Sequence, residues 1–192
     1  DTVLSRGLGD VYKRQLFDVE PDLTESEAAN KFKKNKFYYK PRKDFVINLH
    51  NVNNNEKLSH MVTRFDSGIG HYNSRLDYFF RDWRENKSIS MDSEVLKNLF
   101  SICERVLGQN GSVNVQITSG YRTKKTNEKL RVRSKNVAKN SLHIEGKAID
   151  FAIREVSQKK LRSAAKDICS GGLGFYPGFI HNDSGPVRRS GI

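Results

Sequence analysis

Apolar residues recur along this chain at two distinct spacings. Strict alternation marks strands with one buried face, and recurrence every three or four residues marks amphipathic helices. Phe45-Val46-Ile47-Asn48-Leu49 predicts a strand, followed by a turn-rich loop at Asn51–Asn55 and a second strand from Leu58 to Phe65. Tyr72, Leu76, Phe79, Phe80 and Trp83 place a helix within Ile69–Trp83. The stripe Val95, Leu96, Leu99, Phe100, Cys103, Val106 and Leu107 predicts a strong helix from about Asp92, ended by Gly108. Val113, Val115 and Ile117 alternate with polar neighbours over Ser112–Thr118 and predict another strand. A helix over Thr126–Ser134 and an alternating strand over Lys147–Ile153 come next. Ser157 caps a helix running to about Ile168, which Gly171-Gly172 breaks, and Leu173–Tyr176 with Phe179–Asp183 predict a hairpin around Pro177-Gly178. No segment repeats. The order implies an α+β fold, with helices packed on a small antiparallel sheet.

The first 43 residues lack such periodicity. Residues 16–43 are polar and charged and read as an irregular basic tether, with a short helix expected at Ser26–Lys33. Residues 1–15 bear no relation to the rest of the chain and resemble translated sequencing-adapter sequence. The expectation is that they replace the true start, including any export signal. The organisation is therefore a tail over 1–43 and one domain over 44–192, and 192 residues suit a single domain.

Composition adds one fact that matters. Formal net charge is +12, with seven cations among the thirteen residues 31–43. A basic surface is drawn to polyanions. No zinc finger or other nucleic-acid motif accompanies it, so nucleic acid is not the expected partner. No run of eighteen apolar residues exists, so no transmembrane segment is expected. Cys103 and Cys169 are too few for a disulfide framework and read as buried thiols.

The chemistry concentrates near the C-terminal end. Ser141-Leu142-His143-Ile144-Glu145-Gly146-Lys147-Ala148-Ile149-Asp150 is followed, thirty-one residues after Asp150, by His181. Two imidazoles and a carboxylate suit a zinc ion, and three protein donors leave a fourth position for water. Strand alternation puts His181 and Asp183 on one face. Arg122 ends a strand, and its guanidinium suits a carboxylate or a developing oxyanion.

Several segments then resemble one known family. Ile47-Asn-Leu-His50, Phe79-Phe-Arg-Asp-Trp-Arg84, Ile117-Thr-Ser-Gly-Tyr-Arg122, Val137-Ala-Lys-Asn-Ser-Leu-His143, Gly171-Gly-Leu-Gly-Phe-Tyr-Pro177 and Phe179-Ile-His-Asn-Asp-Ser-Gly-Pro186 together are similar to the MepK murein endopeptidases. These belong with the zinc D-Ala-D-Ala carboxypeptidases, lysostaphin-type enzymes and the hedgehog domain. The resemblance runs over about residues 44–189. It implies zinc held by His143, Asp150 and His181, and peptidoglycan stem peptides as substrate, cut at cross-links. It implies that Arg122 binds the scissile carbonyl or a nearby carboxylate, while Tyr121 and Ser141 shape the cleft. It also implies a periplasmic or envelope location, and a monomer is expected. Relatives place His or Glu two or three residues before the last ligand, where this chain has Phe179 and Gly178. Asp183 is therefore the candidate general base, with Glu145 second. Which bond is cut stays open, and so does a non-catalytic module that holds metal and binds peptidoglycan.

Overall fold

In the computed structural model, residues 44–63, 74–107, 111–134 and 137–191 are described. The expected tail, its helix at Ser26–Lys33, the start of the Ile69–Trp83 helix and the Gly108 stop lie outside them. The chain enters as the hairpin β1 (Phe45–Asn51) and β2 (Glu56–Val62). Its turn is built by asparagines. Asn51 Oδ1 accepts from Asn53 N–H at 3.0 Å, and Asn54 Oδ1 from Glu56 N–H at 3.2 Å. Asparagine side chains favour such turns because they bond their own backbone two residues on.

Helix α1 is short (Ser74–Phe79), and α2 (Ser93–Val106) is the long one. Asp92 caps α2 by accepting from Glu94 and Val95 N–H groups. Its whole predicted stripe up to Val106 is buried. Next come β3 (Ser112–Ser119), α3 (Lys124–Arg133), a 3₁₀ turn (Leu142–Glu145) and β4 (Ala148–Ala152). Helix α4 (Gln158–Ile168), capped by Ser157, leads into β5 (Gly172–Phe175), β6 (Ile180–Asp183) and β7 (Arg188–Gly191).

The α+β class holds, but the sheet is larger than expected and mixed. Seven strands run in the order β2-β1-β3-β4-β6-β5-β7. The β1–β3 and β5–β7 pairs are parallel and the other four antiparallel. Strand β7 has no apolar alternation to announce it. One face of the sheet is apolar: Phe45, Ile47, Leu49, Val113, Val115, Ile117, Ile149, Phe151, Leu173, Phe175 and Ile180 bury against α2 and α4. That burial is the main stabilising term, at roughly 2 kcal/mol per large side chain. The opposite face is polar, and it carries the chemistry.

Candidate metal centre

The register assembles the site. On the polar face Ser119 stands opposite Asp150, Asp150 opposite His181, and His181 opposite Gly174. A bulge at Thr118 makes the first of these pairings possible, because the β3–β4 register shifts between Ile117 and Ser119. Bulges commonly re-aim side chains beside sites. His143 comes from the 3₁₀ turn lying over β4. Gly146 ends that turn at φ +67°, a left-handed conformation that glycine adopts without penalty.

His143, Asp150 and His181 are all buried and converge. One donor atom from each lies within 4.8 Å of the others. His143 Nδ1 is 2.7 Å from the carbonyl of Gly120. A carbonyl only accepts, so Nδ1 carries a proton and Nε2 is the ring nitrogen that faces Asp150 Oδ2, 3.2 Å away. His181 Nδ1 meets Asp150 Oδ1 at 2.8 Å, and its Nε2 meets Asp183 Oδ2 at 2.9 Å. Arg122 donates from Nη2 to Asp150 Oδ2 at 3.1 Å and from Nε to Ser119 Oγ at 2.8 Å. Burial alone would raise Asp150, but the two imidazoles outweigh it and hold the carboxyl well below its ordinary range. Burial likewise opposes a charged His181, yet its bonds to Asp150 and Asp183 push it up to about 10. Two carboxylates, Asp150 and Asp183, thereby bracket the His181 ring. Imidazole nitrogen and carboxylate oxygen are both zinc donors, and three protein donors are the pattern of catalytic zinc.

Asp183 occupies a different place from that expected of a base. It is fully buried and accepts from Gly172 N–H (3.1 Å), Gly185 N–H (2.7 Å), Arg188 and His181. The His181 ring stands between it and Asp150. Gly172 is required there, since a Cβ would collide with both carboxylate oxygens of Asp183. Glu145 is not brought to the centre; it is exposed and paired with Lys147 at 2.5 Å. Tyr121 is half-buried and lines a shallow cleft with Arg122, Ser119, Trp83 and Arg84. Ser141 is buried, and its carbonyl starts the 3₁₀ turn by accepting from Ile144 N–H at 3.0 Å.

Sequence reasoning assigned no role to Asp82, which fixes the Arg122 loop. Its Oδ2 accepts from Thr123 N–H at 2.9 Å and Thr123 Oγ at 2.8 Å, while Oδ1 takes Arg84 N–H at 3.1 Å. Tyr121 N–H bonds Phe80 O, and Arg122 N–H bonds His143 O. The only sequence signal was the charged Asp82 set between Phe80 and Trp83.

A helix-backed sheet carrying two imidazoles and a carboxylate on its polar face defines a candidate divalent-metal centre. The family model described as peptidoglycan L,D-endopeptidase MepK matches residues 28–190. A probable peptidoglycan L,D-endopeptidase MepK of Haemophilus influenzae is 38% identical over 151 residues, covering 78% of this chain and 78% of that protein. Peptidoglycan L,D-endopeptidase MepK of Escherichia coli is 37% identical over 149 residues, 75% of this chain and 79% of that protein. No solved structure matches the chain. The chain belongs to the peptidoglycan L,D-endopeptidase MepK family of peptidases.

Proposed function

We propose that this chain is a zinc-dependent endopeptidase that hydrolyses peptide cross-links of peptidoglycan, working as a monomer in the periplasm or cell envelope. The observation that carries the reading is the convergence of His143, Asp150 and His181 on one sheet face with Arg122 against them. Zinc held by these three would supply Lewis acidity, polarising a carbonyl and bringing water within reach of ionisation near neutral pH.

The chain's own residues then divide the work. Gly120 commits His143 to the tautomer whose Nε2 faces Asp150. Asp183 holds Nε2 of His181 and keeps Nδ1 turned inward, which supports a role in orienting a ligand imidazole over the base role that the sequence favoured. Arg122 balances the charge of Asp150 and presents its guanidinium edge to the carbonyl oxygen as negative charge develops there. Tyr121 walls the cleft beside it. Ser141 acts by setting the turn that carries His143.

One observation favours the alternative, a metal-holding module that binds peptidoglycan without cutting it: Asp183 is sealed and Glu145 is engaged elsewhere. Digesting purified sacculi with and without a chelator separates the two. The endopeptidase reading expects cross-linked muropeptides to vanish in a zinc-dependent way, and Asp150→Ala to abolish both zinc content and cleavage. A zinc-loaded wild type that leaves every muropeptide intact would establish the binding module instead.

A further inference from the structure

The polar face of the sheet does not end at the metal centre. Moving along β3 and β4 away from Asp150, the next pairing on the same face is Gln116 with Ala152. Gln116 stands beside His50 of β1, and one step further Asn114 stands beside Asn48, which stands beside Ser59 of β2. Each two-residue step advances about 7 Å. This stretch forms a cleft of about 370 Å³, inside the size range of small-molecule sites.

Its side chains are an ordered ladder. Ser59 Oγ donates to Asn48 Oδ1 at 2.8 Å, Asn48 Nδ2 to Asn114 Oδ1 at 3.1 Å, and Asn114 Nδ2 to Glu155 Oε1 at 2.9 Å. Arg154 Nε donates to Gln116 Oε1 at 2.9 Å. Asparagine is depleted in strands, yet two asparagines face one another in adjacent strands. Positions where a sequence breaks its local rule concentrate at functional sites. In a chain with 29% charged residues, the three strand positions nearest the centre of this ladder are uncharged carboxamides. A carboxamide offers two donor hydrogens and an oxygen with two lone pairs, so Asn48 and Asn114 each keep one of both beyond their ladder bonds.

We propose that this cleft is a second binding site, for the N-acetylated glycan strand to which the cross-linked peptides are attached. The proposal rests on the peptidoglycan reading above. Carboxamides offering both donor and acceptor suit hydroxyl and acetamido groups, and the charges in the lining are mixed, Lys57 and Arg154 with Glu155, where an anionic peptide would call for a concentration of cations. The spacing also agrees. Three or four extended peptide residues between sugar and scissile bond, as in a 3-3 or a 4-3 cross-link, span about 10–14 Å. The ladder begins one step and is centred two steps, about 7 and 14 Å, from the Asp150 row. The site would thereby favour cross-links still attached to intact glycan.

The test uses a double variant, Asn48→Val with Asn114→Val. Valine favours strands, so the fold is retained while the ladder's hydrogen bonds are lost. Two substrates with the same cross-linked peptide are compared, one carrying its disaccharide and one stripped of sugar. Wild type is expected to show kcat/KM about tenfold higher on the sugar-bearing substrate, the worth of one or two hydrogen bonds. The variant is expected to bring that ratio to one while cutting the sugar-free substrate as fast as wild type. Equal rates of wild type on both substrates, or a variant that loses equally on both, would overturn the proposal. If wild type cuts neither substrate, the endopeptidase reading fails by itself. Titration with a soluble N-acetylglucosamine oligomer, followed through the side-chain amide signals in NMR, then decides. Shifts at Asn48 and Asn114 support the glycan site, and their absence, or shifts caused only by free stem peptide, overturns it.

Discussion

Asp183→Asn separates the two roles open to this residue. The substitution preserves size and removes one oxygen's ability to accept. Asp183 is fully buried and receives bonds from Gly172, Gly185, Arg188 and His181, so a carboxamide must set an NH₂ group against a donor. Breaking one side of a buried ion pair costs about 3–5 kcal/mol, and the partial exposure of Arg188 puts this case near the lower end. A melt in denaturant reads that loss directly. The metal should feel it too. Losing the carboxylate that orients a ligand imidazole typically weakens metal affinity by about 10- to 100-fold. Competition for zinc against a chromophoric chelator measures this without any turnover. A general base behaves differently: its loss lowers kcat by roughly 10²–10⁴ and leaves metal affinity alone. If Asp183→Asn holds zinc as tightly as the parent and loses only kcat, the orienting role is wrong and the base assignment returns.

The same geometry yields four further expected outcomes. Gly172→Ala drives a Cβ into the Asp183 carboxylate, and the overpacking should cost about 1–3 kcal/mol in a urea melt, with zinc affinity falling alongside. Asp82→Ala strands the buried N–H of Thr123 and should cost about 1–3 kcal/mol, lowering kcat/KM because the Arg122 loop loses its anchor. Burial opposes ionisation of Asp82, but the hydrogen bonds it accepts from Thr123 and Arg84 help overcome it, and its carboxyl is held below the ordinary carboxylate range. Its contribution to stability is therefore full above about pH 4 and is lost as pH falls through the depressed value. The acid limb of a pH-dependent melt should flatten in Asp82→Asn. Lys125 and Lys129 hold Glu85 at about 2, and an NMR titration in high salt should move it back toward 4.5, since these exposed pairs are screened.

The parts of this fold that were readable from sequence are those written in local periodicity. Helix α2 announced itself through its apolar stripe and α4 through its cap Ser157, which bonds as expected, while Asp92, read as the start of α2, is found to cap it. The β5–β6 hairpin and the alternation in β3 were legible for the same reason. The parallel β1–β3 pairing was not, because nothing local distinguishes a strand that pairs with a distant neighbour in either direction. Strand β7, reading Arg-Arg-Ser-Gly, owes its conformation to pairing with β5 and not to propensity. Strand β4 is buried along its whole length because the 3₁₀ turn covers the face that alternation would leave open. At the candidate metal centre the three residues that converge were legible as residue types at a spacing. Their tautomers were not, since Gly120 fixes His143 through a backbone carbonyl that no side-chain pattern encodes.

The bulge at Thr118 shows how little separates this sheet from one without the site. Continuing the regular register from Gln116–Ala152 and Ile117–Phe151 would set Thr118 opposite Asp150 and turn Ser119 toward the apolar core. One additional residue reverses that. Thr118 instead donates its hydroxyl to the backbone carbonyl of Asp150 at 3.2 Å, and Ser119 faces the polar side. Ser119 Oγ can then accept from Arg122 Nε, and the guanidinium reaches Asp150 with its other end. The strand therefore does two jobs with one alternation. Val113, Val115 and Ile117 anchor it in the core, and the residue after the bulge delivers the cation to the carboxylate. Because Asp150 sits mid-strand between two paired neighbours, its position is set by backbone hydrogen bonds on both sides, and sites built on such elements hold their geometry more tightly than loops do. The mobile part of the chemistry is then left to the substrate, while the chain supplies a fixed cage of donors.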